Sequence, residues 1–126
     1  MAVSENGDLL FVLNAPADCL EIFTLRGQRL TLLSTVSVGV GPVAVAQRTD
    51  TELWVVNHIS DSVSIVDIDG QPRVTQTLQV GDAPWDVVFG DNGDGVGSAG
   101  ANRKNRAFVS AAFRGQNHRQ FQARYL

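Results

Sequence analysis

The chain has 126 residues, 44% of them hydrophobic and 18% charged, a composition that suits one globular domain and excludes a disordered one. Its formal net charge is -3, and Cys19 is its single cysteine, which excludes an internal disulfide and a cysteine-built metal site. No apolar run approaches the roughly 20 residues that cross a bilayer, so no membrane span is predicted.

Residues 1–6 lack a basic region followed by an apolar stretch and do not form a secretory signal peptide. A first strand contains Phe11-Val12-Leu13-Asn14, and a second contains Cys19-Leu20-Glu21-Ile22-Phe23. Gly39-Val40-Gly41-Pro42 then turns the chain into the one complete unit. That unit is predicted as four strands: A at 42–47, B at 53–58, C at 62–68 and D at 75–80. Each is rich in Val, Ile, Leu or Thr, and several alternate. Strand C carries apolar residues on both faces, as expected of a sheet covered on both sides. The breaks are turn chemistry. Asn57 and Asp61 bound a short B–C hairpin, where Asn and Asp side chains satisfy their own backbone. Asp69-Gly70 turns C into D. Gly81-Asp82-Ala83-Pro84 leads into a further A strand at 84–89 and, beyond a Gly-rich insertion at 90–105, a B strand at 106–112. After Gln116 the alternation stops, and 118–126 is predicted as a tail outside the repeat. No stretch keeps a helical period without Gly, Pro or a β-branched run.

Three blocks recur. Phe11-Val12-Leu13-Asn14 returns 43 residues later as Trp54-Val55-Val56-Asn57. Asp18-Cys19-Leu20-Glu21-Ile22-Phe23 returns at the same interval as Asp61-Ser62-Val63-Ser64-Ile65-Val66. Val38-Gly39-Val40-Gly41-Pro42 returns 42 residues later as Val80-Gly81-Asp82-Ala83-Pro84. A period of about 40–45 residues built of short strands is the signature of propeller blades. The expected fold is therefore all-β: an incomplete β-propeller of four-stranded antiparallel blades. Its divisions are a partial blade at 1–38 (strands B to D), a complete blade at 39–80, and a partial blade at 81–117.

Val80-Gly81-Asp82-Ala83-Pro84, Leu53-Trp54-Val55-Val56-Asn57 and Ser60-Asp61-Ser62-Val63-Ser64-Ile65-Val66-Asp67 together resemble the YVTN family β-propeller repeat. The resemblance implies a propeller of an exported protein, periplasmic or at the cell surface. It says little of activity, because propellers host many unrelated ones. A ring takes typically 4–8 blades, and repeat stacks generally need at least three units. The chain is thus expected to be a fragment of a longer propeller, or else to close a ring with further copies of itself. Open blade faces predict self-association.

Candidate sites are few. Gly39-Val40-Gly41-Pro42-Val43-Ala44 matches G-x-G-x-x-A, but a dinucleotide site needs a helix there and Pro42 opens a strand, so an inter-blade turn is expected. Asp91-Asn92-Gly93-Asp94-Gly95 hints at a calcium loop, yet Gly93 stands at a ligand position and no acid follows Asp94. Six bases and no acid follow residue 102, but they are scattered and lack a recognition helix or aromatic platform, so no nucleic-acid partner is predicted. His58 and His118 are too few for a metal or haem site. No metal and no cofactor are predicted. The remaining candidates converge on one end of the propeller, where B–C hairpins and D–A turns meet: Trp85 and Asp86 at the start of a channel-lining strand, with Asn57 and His58 beside them, and Arg114-Gly115-Gln116-Asn117 in the corresponding hairpin. An aromatic beside a carboxylate at a channel mouth suits a ligand. No nucleophile–base pair and no phosphate cradle occur. The sequence therefore predicts a binding or scaffolding module without catalysis, its ligand or protein partner open. The alternative is part of a haem-associated redox enzyme or a lactonase-like enzyme.

Overall fold

A computed structural model of the chain describes residues 1–90, 106–113 and 116–124. These residues hold eleven strands: β1 (Ala2–Val3), β2 (Leu9–Asn14), β3 (Cys19–Arg26), β4 (Arg29–Ser37), β5 (Pro42–Thr49), β6 (Glu52–Asn57), β7 (Ser62–Asp67), β8 (Arg73–Gln79), β9 (Asp82–Gly90), β10 (Arg106–Phe113) and β11 (Gln116–Arg124). One 3-10 turn, η1 (Ala15–Ala17), interrupts them. The strands form three antiparallel meanders in chain order: β1–β4, β5–β8 and β9–β11. The protein is an all-β, incomplete β-propeller.

The middle sheet explains why β6 and β7 carry apolar residues on both faces. Leu53, Val55 and Val66 face the first sheet and close on Phe11, Leu20, Ile22 and Val36. Trp54, Val56, Val63 and Ile65 face the other way and close on Val87 and Val109 of the third sheet. Alternation along a strand sends successive side chains to opposite faces, so a strand covered on both sides carries apolar residues on both. β6 buries Leu53, Trp54, Val55, Val56 and Asn57 completely.

Two elements differ from the sequence reading. The first sheet, expected to hold strands B to D, gains a short inner strand, because Ala2 pairs with Phe11 and Val3 with Leu10. Ala2 packs on the apolar cluster beneath Phe11, and two residues are too few for a periodic signal. The stretch expected as a tail pairs instead as β11, with Val109 opposite Phe121 and Ala107 opposite Ala123. Backbone N–H and C=O groups along an open strand edge accept any extended partner, so pairing needs no apolar alternation.

A recurrent clasp joins consecutive sheets. Asp18 and Asp61 each precede a third strand and hold left-handed backbones, with φ of 52° and 53°. Oδ1 of Asp18 accepts from Gly41 N at 3.0 Å, and Oδ1 of Asp61 accepts from Ala83 N at 2.8 Å. The carbonyls of the same two residues accept from Val38 N and Val80 N, both at 3.0 Å. Each Asp thus seats the turn that leads into the next sheet. This corrects the expectation that Asp61 satisfies its own hairpin. The left-handed conformation aims its carboxylate out of the hairpin, at backbone 22 residues onward.

Candidate functional site

The hairpin after β6 is positioned by the turns on either side of it. His58 N donates to Gly41 O at 2.9 Å, Ile59 N to Val40 O at 3.1 Å, and Val40 N to Ser60 Oγ at 3.0 Å. On the other flank, His58 Nδ1 lies 3.0 Å from Pro84 O. A carbonyl only accepts, so Nδ1 is the donor of this bond. His58 is therefore brought against the residue that precedes Trp85.

Trp85 owes its position to a bulge. Asp82 pairs with Ala112 and Asp86 with Ser110, so Ala83, Pro84 and Trp85 all oppose Ala111. β5 repeats the device in smaller form, with Val43 extra between Pro42 and Ala44. A bulge breaks alternation and re-aims the side chain it contains. Trp85 is 37% exposed and Val43 48% exposed, although both sit in strands. Asp86 is exposed, and its Oδ1 accepts from Val87 N at 2.9 Å.

Asn57 stands apart from these three. It is fully buried, donating from Nδ2 to Ser62 Oγ at 3.2 Å and to Ser64 Oγ at 3.0 Å. It braces the hairpin from within the sheet stack. Gly39 lies directly over it: a Cβ there would stand 2.6 Å from Asn57 Nδ2 and 2.6 Å from Ser60 Oγ. Asn57 cannot retreat, since it is wedged in the core. Gly39→Ala is expected to cost about 1–3 kcal/mol, measured as a lower urea midpoint at unchanged m.

Gly39-Val40-Gly41 forms the expected turn into β5, and no helix opens there. The calcium candidate at 91–95 lies outside the described residues, as do Arg114 and Gly115, while Gln116 and Asn117 begin β11. His118 falls within β11. Among the described residues no group of three or more His, Cys, Asp or Glu side chains is placed to hold a metal ion. No helix among them is long and apolar enough to cross a membrane. Cys19 is buried, and burial pushes its thiol up, with the carboxylates of Glu21 and Asp18 acting in the same sense. A thiol so placed is a poor nucleophile at neutral pH. At the opposite end of the first sheet, a groove of about 510 Å³ is lined by Asp8, Leu9, Thr24, Leu25, Arg26 and Gly27. Nothing in the sequence pointed to it, because its walls are the ends of two strands that meet only in the folded hairpin.

No family model matches the chain, and no curated protein does. Solved structures do. Hydrazine synthase of Kuenenia stuttgartiensis is 30% identical over 86% of this chain and 27% of its own, with a TM-score of 0.68. A protein of unknown function from Desulfotomaculum acetoxidans DSM 771 is 15% identical over 87% of this chain and 33% of its own, with a TM-score of 0.69. A candidate 6-phosphogluconolactonase from Bacteroides uniformis ATCC 8492 is 13% identical over 96% of this chain and 38% of its own, with a TM-score of 0.59. The chain therefore spans well under half the length of the chains it matches. These neighbours include β-propeller proteins, and the fold of this chain is theirs in part.

Proposed function

We propose that the chain is a YVTN-type propeller repeat module that binds or scaffolds, without catalysis of its own, as blades of a longer ring. The observation that supports this reading is the contrast between sheets. Among the described residues the middle sheet is covered on both faces, whereas the first is covered on one. In this reading 39–80 is one whole blade, 1–38 and 81–117 are partial blades, and 90–105 is an insertion. A ligand would meet the channel mouth at Trp85, Asp86 and the Nε2 of His58, with Asn57 holding the hairpin beneath. Sequencing the source DNA through this gene and about a kilobase to either side tests it. Propeller repeats that continue in any frame support the reading; flanks without them sink it.

One observation favours a second reading, a propeller segment of a redox enzyme: the 30% identity to hydrazine synthase across most of this chain. A C-x-x-C-H haem-attachment motif in the continuing frame would decide for the enzyme. Haem staining of the corresponding full-length product is its biochemical counterpart.

A further inference from the structure

The outward face of the first sheet is apolar across all four of its strands. Leu10 and Val12 alternate with Phe11, which faces the middle sheet, and so point away from it. Phe23 pairs with both Leu10 and Leu32, and Leu25 with Leu30, which puts these residues on the same outward side. On β1, Val3 pairs with Leu10 and joins them. Leu30, Leu32 and Val3 are 53%, 52% and 56% exposed. A contiguous apolar surface of this kind marks an interaction site.

The repeat identifies what covers it. Leu10, Val12, Phe23 and Leu25 stand 43 residues before Leu53, Val55, Val66 and Ile68. Those four form the face of the middle sheet that closes on Phe11, Leu20, Ile22 and Val36. The outward face of the first sheet is thus the same surface one repeat earlier, without its cover. The polar end of the face repeats too. Asn14 donates to Glu21 Oε1 at 3.2 Å, as Asn57 donates to Ser64 Oγ at 3.0 Å. The difference lies in the acceptor. Ser64 is 2% exposed once covered. Glu21 occupies its position with a charge, and a carboxylate shut in with one amide for company is costly unless a cation joins it.

We propose that this face is a docking surface for another blade of the same repeat, and that Glu21 selects a blade that brings a basic side chain to it. The inference rests on the reading of the chain as part of a larger ring. The glycine turn over Asn57 adds a further requirement, that the occupant bring a free glycine turn to Asn14. A second copy of this chain does not meet it. Its turn at 39–41 is already held by Asp18 and Ser60, and its turn at 82–84 by Asp61 and His58.

The test fuses residues 39–86 ahead of Met1 of the full chain, so that Ala2 falls at the repeat position of Ala46 and Val88. This offers the face a blade with the row Trp54, Val56, Val63 and Ile65, and a turn with Gly81 at the position of Gly39. Leu32→Glu is expected to lower the urea midpoint of the fusion clearly more than that of the chain alone; total binding of anilinonaphthalene sulfonate should change little between the two, because the added blade bares the same face through its own Leu53, Val55, Val66 and Ile68. E21S is expected to raise the urea midpoint of the fusion clearly more than that of the unfused chain. An equal effect of Leu32→Glu in the chain and in a fusion whose circular dichroism shows the added strands would overturn the docking surface. An equal effect of E21S in both contexts would overturn the selection by charge. An unfused chain that elutes as a dimer with its dye binding lost would assign the face to a second copy instead. Should the fusion misfold, Leu32→Glu in the unfused chain decides: lost dye binding at a nearly constant midpoint supports an outward docking face, and a large loss of stability places Leu32 in the chain's own core. All these readouts are independent of the flanking DNA, where the ring reading itself is tested.

Discussion

Trp54→Ala is expected to remove about 3–5 kcal/mol of stability, the range for deleting a large aromatic from a packed core. Trp54 is completely buried, and it is the largest side chain between the middle and third sheets. Its ring meets that of Phe89 edge-on, with centroids 5.3 Å apart and planes at 87°, a geometry that adds to area burial. Its Nε1 donates to Glu52 Oε1 at 2.7 Å, and the other oxygen of Glu52 holds Arg48 at 3.2 Å. The substitution therefore opens a cavity and also takes the donor from a half-buried carboxylate. Domains of this size hold about 5–15 kcal/mol in all, so the loss is a large fraction of the total. Urea denaturation followed by circular dichroism checks this. Trp54→Phe should cost distinctly less, because it keeps an aromatic ring against Phe89 and loses chiefly the bond to Glu52. Equal costs for the two variants would place the stabilisation in the hydrogen bond and not in the ring.

Asp61→Ala is expected to cost about 2–4 kcal/mol, from a charged hydrogen bond lost to backbone and an alanine forced into the left-handed region. The carboxylate of Asp61 seats the turn that begins β9, so its loss also loosens Pro84 and Trp85, next to which His58 is held. Asp61→Asn keeps an acceptor and a residue tolerated at positive φ, and should retain most of the stability. Ala83 itself adopts a φ of 49°, where the equivalent Gly41 sits at 69°. The two Asp61 variants separate the roles of the site. Hydrogen exchange at the amides of Asp82, Ala83, Trp85 and Asp86 should accelerate in Asp61→Ala well beyond the global loss, and only slightly in Asp61→Asn. Acceleration spread evenly over the three sheets would mean that the clasp contributes to overall stability without positioning the turn.

Much of the fold was legible in the residues alone, for a physical reason: blades are local. Each strand pairs with the next in sequence, through turns that Gly, Asp and Asn specify, so period and turn chemistry suffice to place β5 to β8. The repeat of Asn14 and Asn57, and of Asp18 and Asp61, was likewise visible as letters. What these letters do was not. Asn57 looked like a loop residue at a channel mouth, and only packing shows it sealed under Gly39 and bonded to two serines. Asp61 looked like a hairpin residue, and only its left-handed backbone turns it toward the next sheet. β1 and β11 escaped notice because backbone pairing at a sheet edge leaves no side-chain signature. The bulge that exposes Trp85 escaped for the same reason, since a register shift is a relation between two strands and is written in neither. Sequence by itself determined β2 to β10, their order and their repeat, because those depend on neighbours along the chain. The tertiary structure alone decided which of two equivalent faces is covered and which is bare, because burial depends on the sheet that lies opposite.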